Sequence, residues 1–178
     1  MSQHQSPPQL DVKHAAQLSL QLSGEDVLLN YKRLMQETCG LGAENALQWS
    51  VHAHLRKCLT GRHSVWLHLT ATTTLPLSCQ RCLESVDIDV HIDRDFRFVG
   101  SEAMAEQEDE ACEEDVLVWS HAFNVQTLIE DEILMELPLV PRHTTCPVEI
   151  KMAVADLECE DIQDHHRPFA VLTQLQSS

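Results

Sequence analysis

Three stretches of this chain alternate apolar and polar residues with a period of two, and this alternation constrains the fold more than any other feature. The stretches cover residues 49–56, 65–72 and 86–98. Arg94 is the exception, because it falls on the apolar parity of the third stretch. Successive side chains of a strand point to opposite faces of the sheet. The pattern therefore predicts three consecutive antiparallel strands with one covered face.

A helix is predicted to follow these strands. Asn124 is suited to cap its N-terminus, residues 125–137 repeat apolar side chains at helical spacing, and Pro138 must end it. This helix is expected to cover the sheet. The predicted fold class is α+β: an antiparallel β-meander sheet covered by a helix from the C-terminal half, with short N- and C-terminal elements. Those elements are a strand ending at Gly24, a helix over 28–36, a strand over 116–119 and a last piece at 168–172.

Chain length and local composition predict one domain with a polar tail. The 178 residues suit a single domain, which we place at 11–178. Residues 1–10 are polar and contain a Pro-Pro pair, so a disordered N-terminus is expected. Residues 102–115 hold eight acids in fourteen positions and no base. This run predicts a mobile acidic loop at 101–115.

The charge of the chain restricts its partners. Twelve Lys and Arg residues stand against 28 Asp and Glu residues, for a net charge of −16. Such a body repels phosphate and anionic membranes and attracts basic proteins. The N-terminus lacks a secretory pattern, and no apolar run approaches the roughly 18 residues that span a bilayer. A cytoplasmic location is therefore expected, where the seven cysteines would be reduced.

Four residues have the spacing of a candidate zinc site. Cys79 and Cys82 form a CxxC pair between the second and third predicted strands, and His143 and Cys146 follow the predicted helix. Two thiolates on a tight turn can bind one tetrahedral metal, and the second pair would complete its coordination. The alternative is that the four are unrelated residues near the sheet edge. A redox role is less favoured, because a redox CxxC sits at a helix N-terminus.

Arg81, between the two cysteines, has two interpretations. Glu132 and Glu136 project within the apolar arc of the predicted helix, where a carboxylate is costly unless it is paired. We therefore expect Arg81 to form an internal ion pair with Asp131 or Glu132. The alternative is that Arg81 contacts a carboxylate or phosphate of a partner.

The sequence offers no constellation for catalysis. It has no nucleophile elbow and no Gly-rich phosphate loop. His52, His54, His68 and His91 fall on the polar parity of the predicted strands and are expected to be ordinary surface residues. We therefore expect no catalytic residue, no small-molecule substrate and no cofactor beyond the candidate zinc.

Several segments together resemble one family. They are LSCQRCL at 77–83, LIEDEILMELPLVPRH at 128–143, Cys146, and RPFAVL at 167–172. In this combination the chain is similar to the YceD family. The resemblance covers residues 70–178 well and residues 15–70 through the strand pattern.

The resemblance implies a bacterial or plastid protein needed for accumulation of large-subunit (23S) ribosomal RNA, through its synthesis, processing or stability. Combined with the charge, it predicts a ribosome-biogenesis factor that binds a basic ribosomal protein or a pre-ribosomal large subunit and meets the rRNA indirectly. One rival is direct rRNA binding through a local basic patch. Its candidate residues are Lys32, Arg33, Arg56, Lys57, Arg62 and Arg81. A second rival is a zinc-dependent RNA-processing enzyme.

Overall fold

The computed structural model describes residues 6–57, 63–109 and 115–148. Contacts divide the chain into two units, Met1–Pro147 and Val148–Ser178. Nearly all of the second unit lies outside the described residues, and so does the element predicted at 168–172. None of the described helices is long and apolar enough to cross a membrane.

The first unit consists of strands and short helices. Its strands are β1 (Gln9–Leu10), β2 (Gln21–Val27), β3 (Ala46–Lys57), β4 (His63–Ser78), β5 (Ser85–Val99), β6 (Asp115–Val118) and β7 (Phe123–Asn124). Its helices are α1 (Val12–Gln17), α2 (Lys32–Glu37), α3 (Glu102–Asp109) and α4 (Val125–Glu136), with a 3-10 turn at Leu28–Asn30. The α+β class is confirmed.

The predicted meander forms the centre of a five-stranded sheet with the order β2-β3-β4-β5-β6. All neighbours are antiparallel except β5 and β6, which are parallel. The strand β4 is longer than expected and continues past Pro76 to Ser78. Its pairing with β3 ends at Thr73, so Pro76 lies where β4 pairs with β5 alone and its missing N–H is tolerated.

The core fills one face of this sheet, as the alternation predicts. Its β4 and β5 members include Leu67, Leu69, Ala71, Ile92 and Phe96. The predicted helix α4 covers them with Val125, Ile129 and Ile133, all fully buried. It shares this role with α1, which was not expected to cover the sheet and which contributes Val12, Ala15 and Ala16. The helix α2 packs against α4 and adds Leu34 to the core.

Two segments expected to lack structure contain regular elements. Residues 102–109 of the expected acidic loop form α3, while residues 110–114 lie outside the described residues. Ala, Met, Glu and Gln favour a helix locally, and the backbone carbonyl of Ser101 accepts from Met104 and Ala105. Near the N-terminus, Gln9–Leu10 pairs with Phe123–Asn124, and Leu10 is buried.

Candidate metal centre

The turn between β4 and β5 brings the two CxxC cysteines together. The Cys79 N–H donates to the Glu84 carbonyl at 2.9 Å, and the Leu83 N–H donates to the Cys79 carbonyl at 2.8 Å. Leu83 takes the left-handed backbone conformation, with φ of +64°, which closes the turn. Cys79 is buried and Cys82 is half-buried. Both sulfur atoms therefore belong to one tight loop.

The chain returns to this turn after α4. Leu137 ends α4 in an extended conformation just before Pro138. The following segment then contacts the turn twice. The Gln80 N–H donates to the Pro141 carbonyl at 2.8 Å, and the His143 N–H donates to the Cys79 Sγ at 3.5 Å. The two halves predicted from sequence thus meet in space.

The four donor atoms form a compact cluster. The ligand atoms of Cys79, Cys82, His143 and Cys146 all lie within 4.8 Å of one another. Within it, Cys82 Sγ lies 3.3 Å from His143 Nδ1. A tetrahedral zinc with bonds near 2.3 Å holds its ligands roughly 3.5–4 Å apart, so small side-chain movements suffice. The cluster can hold a metal ion.

The orientation of His143 also suits a metal ligand. Its Nε2 lies 3.0 Å from the carbonyl oxygen of Ser85, which can only accept a hydrogen bond. That contact places the ring proton on Nε2 and leaves the lone pair of Nδ1 facing the sulfur atoms. Metal-binding histidines are commonly fixed by such a bond from the other ring nitrogen.

The thiol pKa values differ within the cluster. Burial raises the pKa of Cys79, but hydrogen bonds from the backbone N–H groups of Cys82, His143 and Arg81 outweigh it and lower the pKa to about 5. Burial and the nearby sulfur atoms of Cys82 and Cys79 together raise the pKa of Cys146 to about 11. Because neighbouring thiolates repel one another, a cation would be needed to hold all three as thiolates.

The ion pair expected for Arg81 is replaced by other pairs. Asp131 contacts Arg33, and Glu132 Oε2 lies 3.3 Å from Arg94 Nε. Arg81 is exposed and has no ion pair with any residue that the structure describes. The expected pairing with Asp131 or Glu132 is therefore wrong. Arg94 pairs with Glu132 instead, because Arg94 lies on the covered face of β5, against α4.

The sequence contained a signal for this arrangement. Arg94 was the exception to the strand parity, and Glu132 and Glu136 were the acids within the apolar helix arc. Both acids lie against Arg94. A contact that sequence reasoning missed joins α4 to α2, where Glu130 Oε1 accepts hydrogen bonds from the backbone N–H groups of Arg33 and Leu34.

The comparisons with known proteins concern the same region. A family model described as "Large ribosomal RNA subunit accumulation protein YceD" matches residues 67–176, which are 110 of the 178 residues. No solved structure matches the chain. The matched stretch contains all four residues of the metal cluster.

Proposed function

The chain belongs to the YceD family of large ribosomal RNA subunit accumulation proteins, and on this basis we propose that it is a non-enzymatic ribosome-biogenesis factor. It supports the synthesis, processing or stability of 23S rRNA in the cytoplasm. It does so by binding a basic ribosomal protein or an early large-subunit particle. The family match over more than half of the chain is the observation that carries the proposal.

The charge of the protein supports an indirect contact with rRNA. The net charge of −16 repels phosphate over most of the surface. On the face of the sheet opposite the core, β5 exposes Asp87, Asp89 and Asp93 in alternating positions. Acidic surfaces of this kind attract Lys- and Arg-rich proteins and raise their association rate.

The direct-binding rival has less support. Its basic patch included Arg33 and Arg56, yet Arg33 pairs with Glu130 and Asp131, and Arg56 pairs with Asp95. These contacts already neutralise two of the six cations proposed for phosphate. Lys32, Lys57 and Arg81 are exposed, and Arg62 lies outside the described residues.

We also propose that the Cys3His cluster binds zinc in a structural role. When bound, the ion would tie the β4–β5 turn to the segment after α4. Four protein donors fill a tetrahedral zinc, whereas catalytic zinc keeps a position for water or substrate. The donor set therefore favours a structural site over the zinc-dependent RNA-processing enzyme.

The proposal is tested in cells. The ratio of 23S to 16S rRNA is compared between cells with and without the protein, and the tagged full chain is purified at moderate salt to identify the attached proteins and RNA. We expect a lowered ratio without the protein, and ribosomal proteins of the large subunit in the purified material. An unchanged ratio, with no ribosomal component recovered, would contradict the proposal.

A second measurement separates indirect from direct rRNA binding. Binding of the purified protein to naked 23S rRNA is measured at increasing salt. The proposal expects weak binding at all salt concentrations. Tight binding that falls steeply with salt would show phosphate contacts and would favour the direct-binding rival.

A further inference from the structure

A groove with a mixed polar and apolar lining lies beside the metal cluster. It has a volume of about 680 Å³ and runs between the end of β4, the end of α2 and the segment after α4. Its apolar lining consists of Leu77, Leu134, Leu137, Pro138, Leu139 and Pro141. Gln36, Glu37, Ser78 and Gln80 contribute polar groups to the lining. The groove is large enough to receive one or two apolar side chains.

Exposed apolar side chains occur on α4, on the segment after it and on the metal turn. The exposed fraction is 99% for Leu139, 78% for Leu83, 71% for Met135 and 59% for Val140. Single exposed apolar residues are ordinary, whereas a cluster on adjoining segments is typical of an interaction site. Leu83 belongs to the metal turn, and Leu139 and Val140 belong to the segment hydrogen-bonded to that turn.

Two exposed arginines lie at the same place. Arg81 and Arg142 each directly follow a residue of the hydrogen bond between Gln80 and Pro141, so the backbones of the two arginines are close in space. Both are exposed, and neither has an ion pair within residues 6–57, 63–109 and 115–148. Arg33, Arg56 and Arg94, by contrast, are engaged by carboxylates of the chain itself.

We propose that these residues form a docking surface for a protein segment that carries a bulky apolar side chain beside a carboxylate. This knuckle surface consists of the groove, Leu83, Leu139, Val140, Arg81 and Arg142. The apolar side chain would enter the groove, and the carboxylate would lie between the two guanidinium groups. The inference rests on the proposed function, since it names the contact by which the factor selects a protein of the assembling subunit.

The composition of the surface favours a protein over RNA as the occupant. Burying Leu139 and Leu83 against apolar atoms is favourable, whereas the phosphate backbone offers no such contact. The wider acidic surface attracts a basic partner without selecting it, and an apolar anchor with a paired carboxylate would add specificity.

The first test selects ligands without assuming a partner. A displayed library of short random peptides is selected on the full-length, metal-loaded protein. The proposal expects enriched peptides that place Leu, Ile or Phe next to Asp or Glu. Enrichment of basic peptides, or of none, would overturn it.

Variants then locate the binding site. Leu139→Asp should weaken a selected peptide about tenfold or more, the effect of losing one buried anchor. The double change Arg81→Ala with Arg142→Ala should weaken it similarly. Leu18→Asp is the matched control, since Leu18 is 63% exposed and lies outside the surface. Equal binding to the wild type and to Leu139→Asp would overturn the proposal.

The zinc content of the arginine variant shows whether the two arginines bind the peptide or stabilise the metal cluster. A Cys3His zinc site carries a net negative charge, which the two arginines could balance. If the arginine variant loses zinc together with peptide binding, the arginines support the metal cluster, and the proposed carboxylate contact is wrong. Retained zinc with lost binding supports the proposal.

The cellular test distinguishes this inference from the proposed function. Cells lacking the protein receive the wild type, Leu139→Asp or Leu18→Asp, and the 23S to 16S rRNA ratio is measured. The inference expects restoration by the wild type and Leu18→Asp but not by Leu139→Asp. Restoration by all three would overturn the inference alone, whereas an unchanged ratio in cells lacking the protein would contradict the proposed function.

Discussion

The guanidinium Nε of Arg94 on β5 lies 3.3 Å from Oε2 of Glu132 on α4, and this ion pair joins the sheet to the helix that covers it. The Glu132 side chain is only 7% exposed. Burial raises the pKa of its carboxyl group, while the charge of Arg94 opposes that rise. Glu136 and Asp115 each lie 3.7 Å from the same guanidinium. One arginine thus holds three acids from two elements.

Removing Arg94 should destabilise the fold. Arg94→Ala would leave the Glu132 carboxylate buried without its cation, at a cost of about 1–3 kcal/mol in the free energy of unfolding. Replacing both residues with Leu should recover part of this loss, because no buried charge remains. Urea unfolding of the three proteins measures the effect. Arg81→Ala is the control and should change stability by less than about 0.5 kcal/mol.

The backbone arrangement was largely predictable from sequence, but the ionic partners were not. Strand alternation reports which face each residue takes, so the meander and its covered face followed directly from residues 49–98. The N-cap of α4 was also predictable, and Asn124 Oδ1 accepts from the Thr127 N–H. The partner of an acid depends on which elements pack together. The expected cation was therefore Arg81, on the nearest loop, and not Arg94.

The helices α1 and α3 were not predicted from the sequence, for a different reason. Residues 12–17 form a helix of only six residues, too short for an apolar period to be recognised. In the acidic run, overall composition predicted a loop although the individual residues favour a helix. The metal cluster was predictable because its donors are chemically distinctive, even with about 60 residues between its halves.

Glu130, on α4, should stabilise the N-terminus of α2. The N-cap residue of α2, Tyr31, makes no side-chain capping bond. Glu130 Oε1 instead accepts from the Arg33 N–H at 2.7 Å, and Oε2 accepts from Arg33 Nε at 3.0 Å. Glu130→Ala should lower the free energy of unfolding by about 1–2 kcal/mol, the effect of losing a helix cap. Thermal unfolding provides the measurement.

The control for this prediction is at the other end of the same helix. Glu37 is exposed in the last turn of α2, where a negative charge opposes the helix dipole. Glu37→Ala should therefore leave stability unchanged or slightly raised. Equal losses in the two variants would mean that Glu130 has no specific capping role.

Asp95 should make stability depend on pH in the acid range. Burial acts to raise its pKa, but hydrogen bonds from Arg56 and His68 outweigh it and hold the pKa below the usual 3.8. A lowered carboxyl pKa adds stability above the unfolded value, which is lost as the pH falls through the folded pKa. Asp95→Asn should therefore lower neutral-pH stability by about 0.5–1 kcal/mol, because these partners are partly exposed.

The acid limb of the stability profile provides the measurement for Asp95. The profile of Asp95→Asn should be flatter than that of the wild type below about pH 4. Asp93→Asn is the matched control, because Asp93 is 61% exposed and its contact with His68 Nε2 is longer, at 3.7 Å. Parallel profiles for the wild type and Asp95→Asn would contradict the prediction.

The metal cluster leads to the most direct prediction. Purified full-length protein should retain about one equivalent of zinc after dialysis, because four protein donors meet at one point. Cys82→Ser or Cys146→Ser should lose most of the metal, whereas Cys39→Ser, an exposed cysteine outside the cluster, should keep it. Chelation should speed hydrogen exchange at the Gln80 N–H, which bonds to Pro141 across the two halves. Metal-free protein with unchanged exchange and unchanged stability would show that these cysteines only pack.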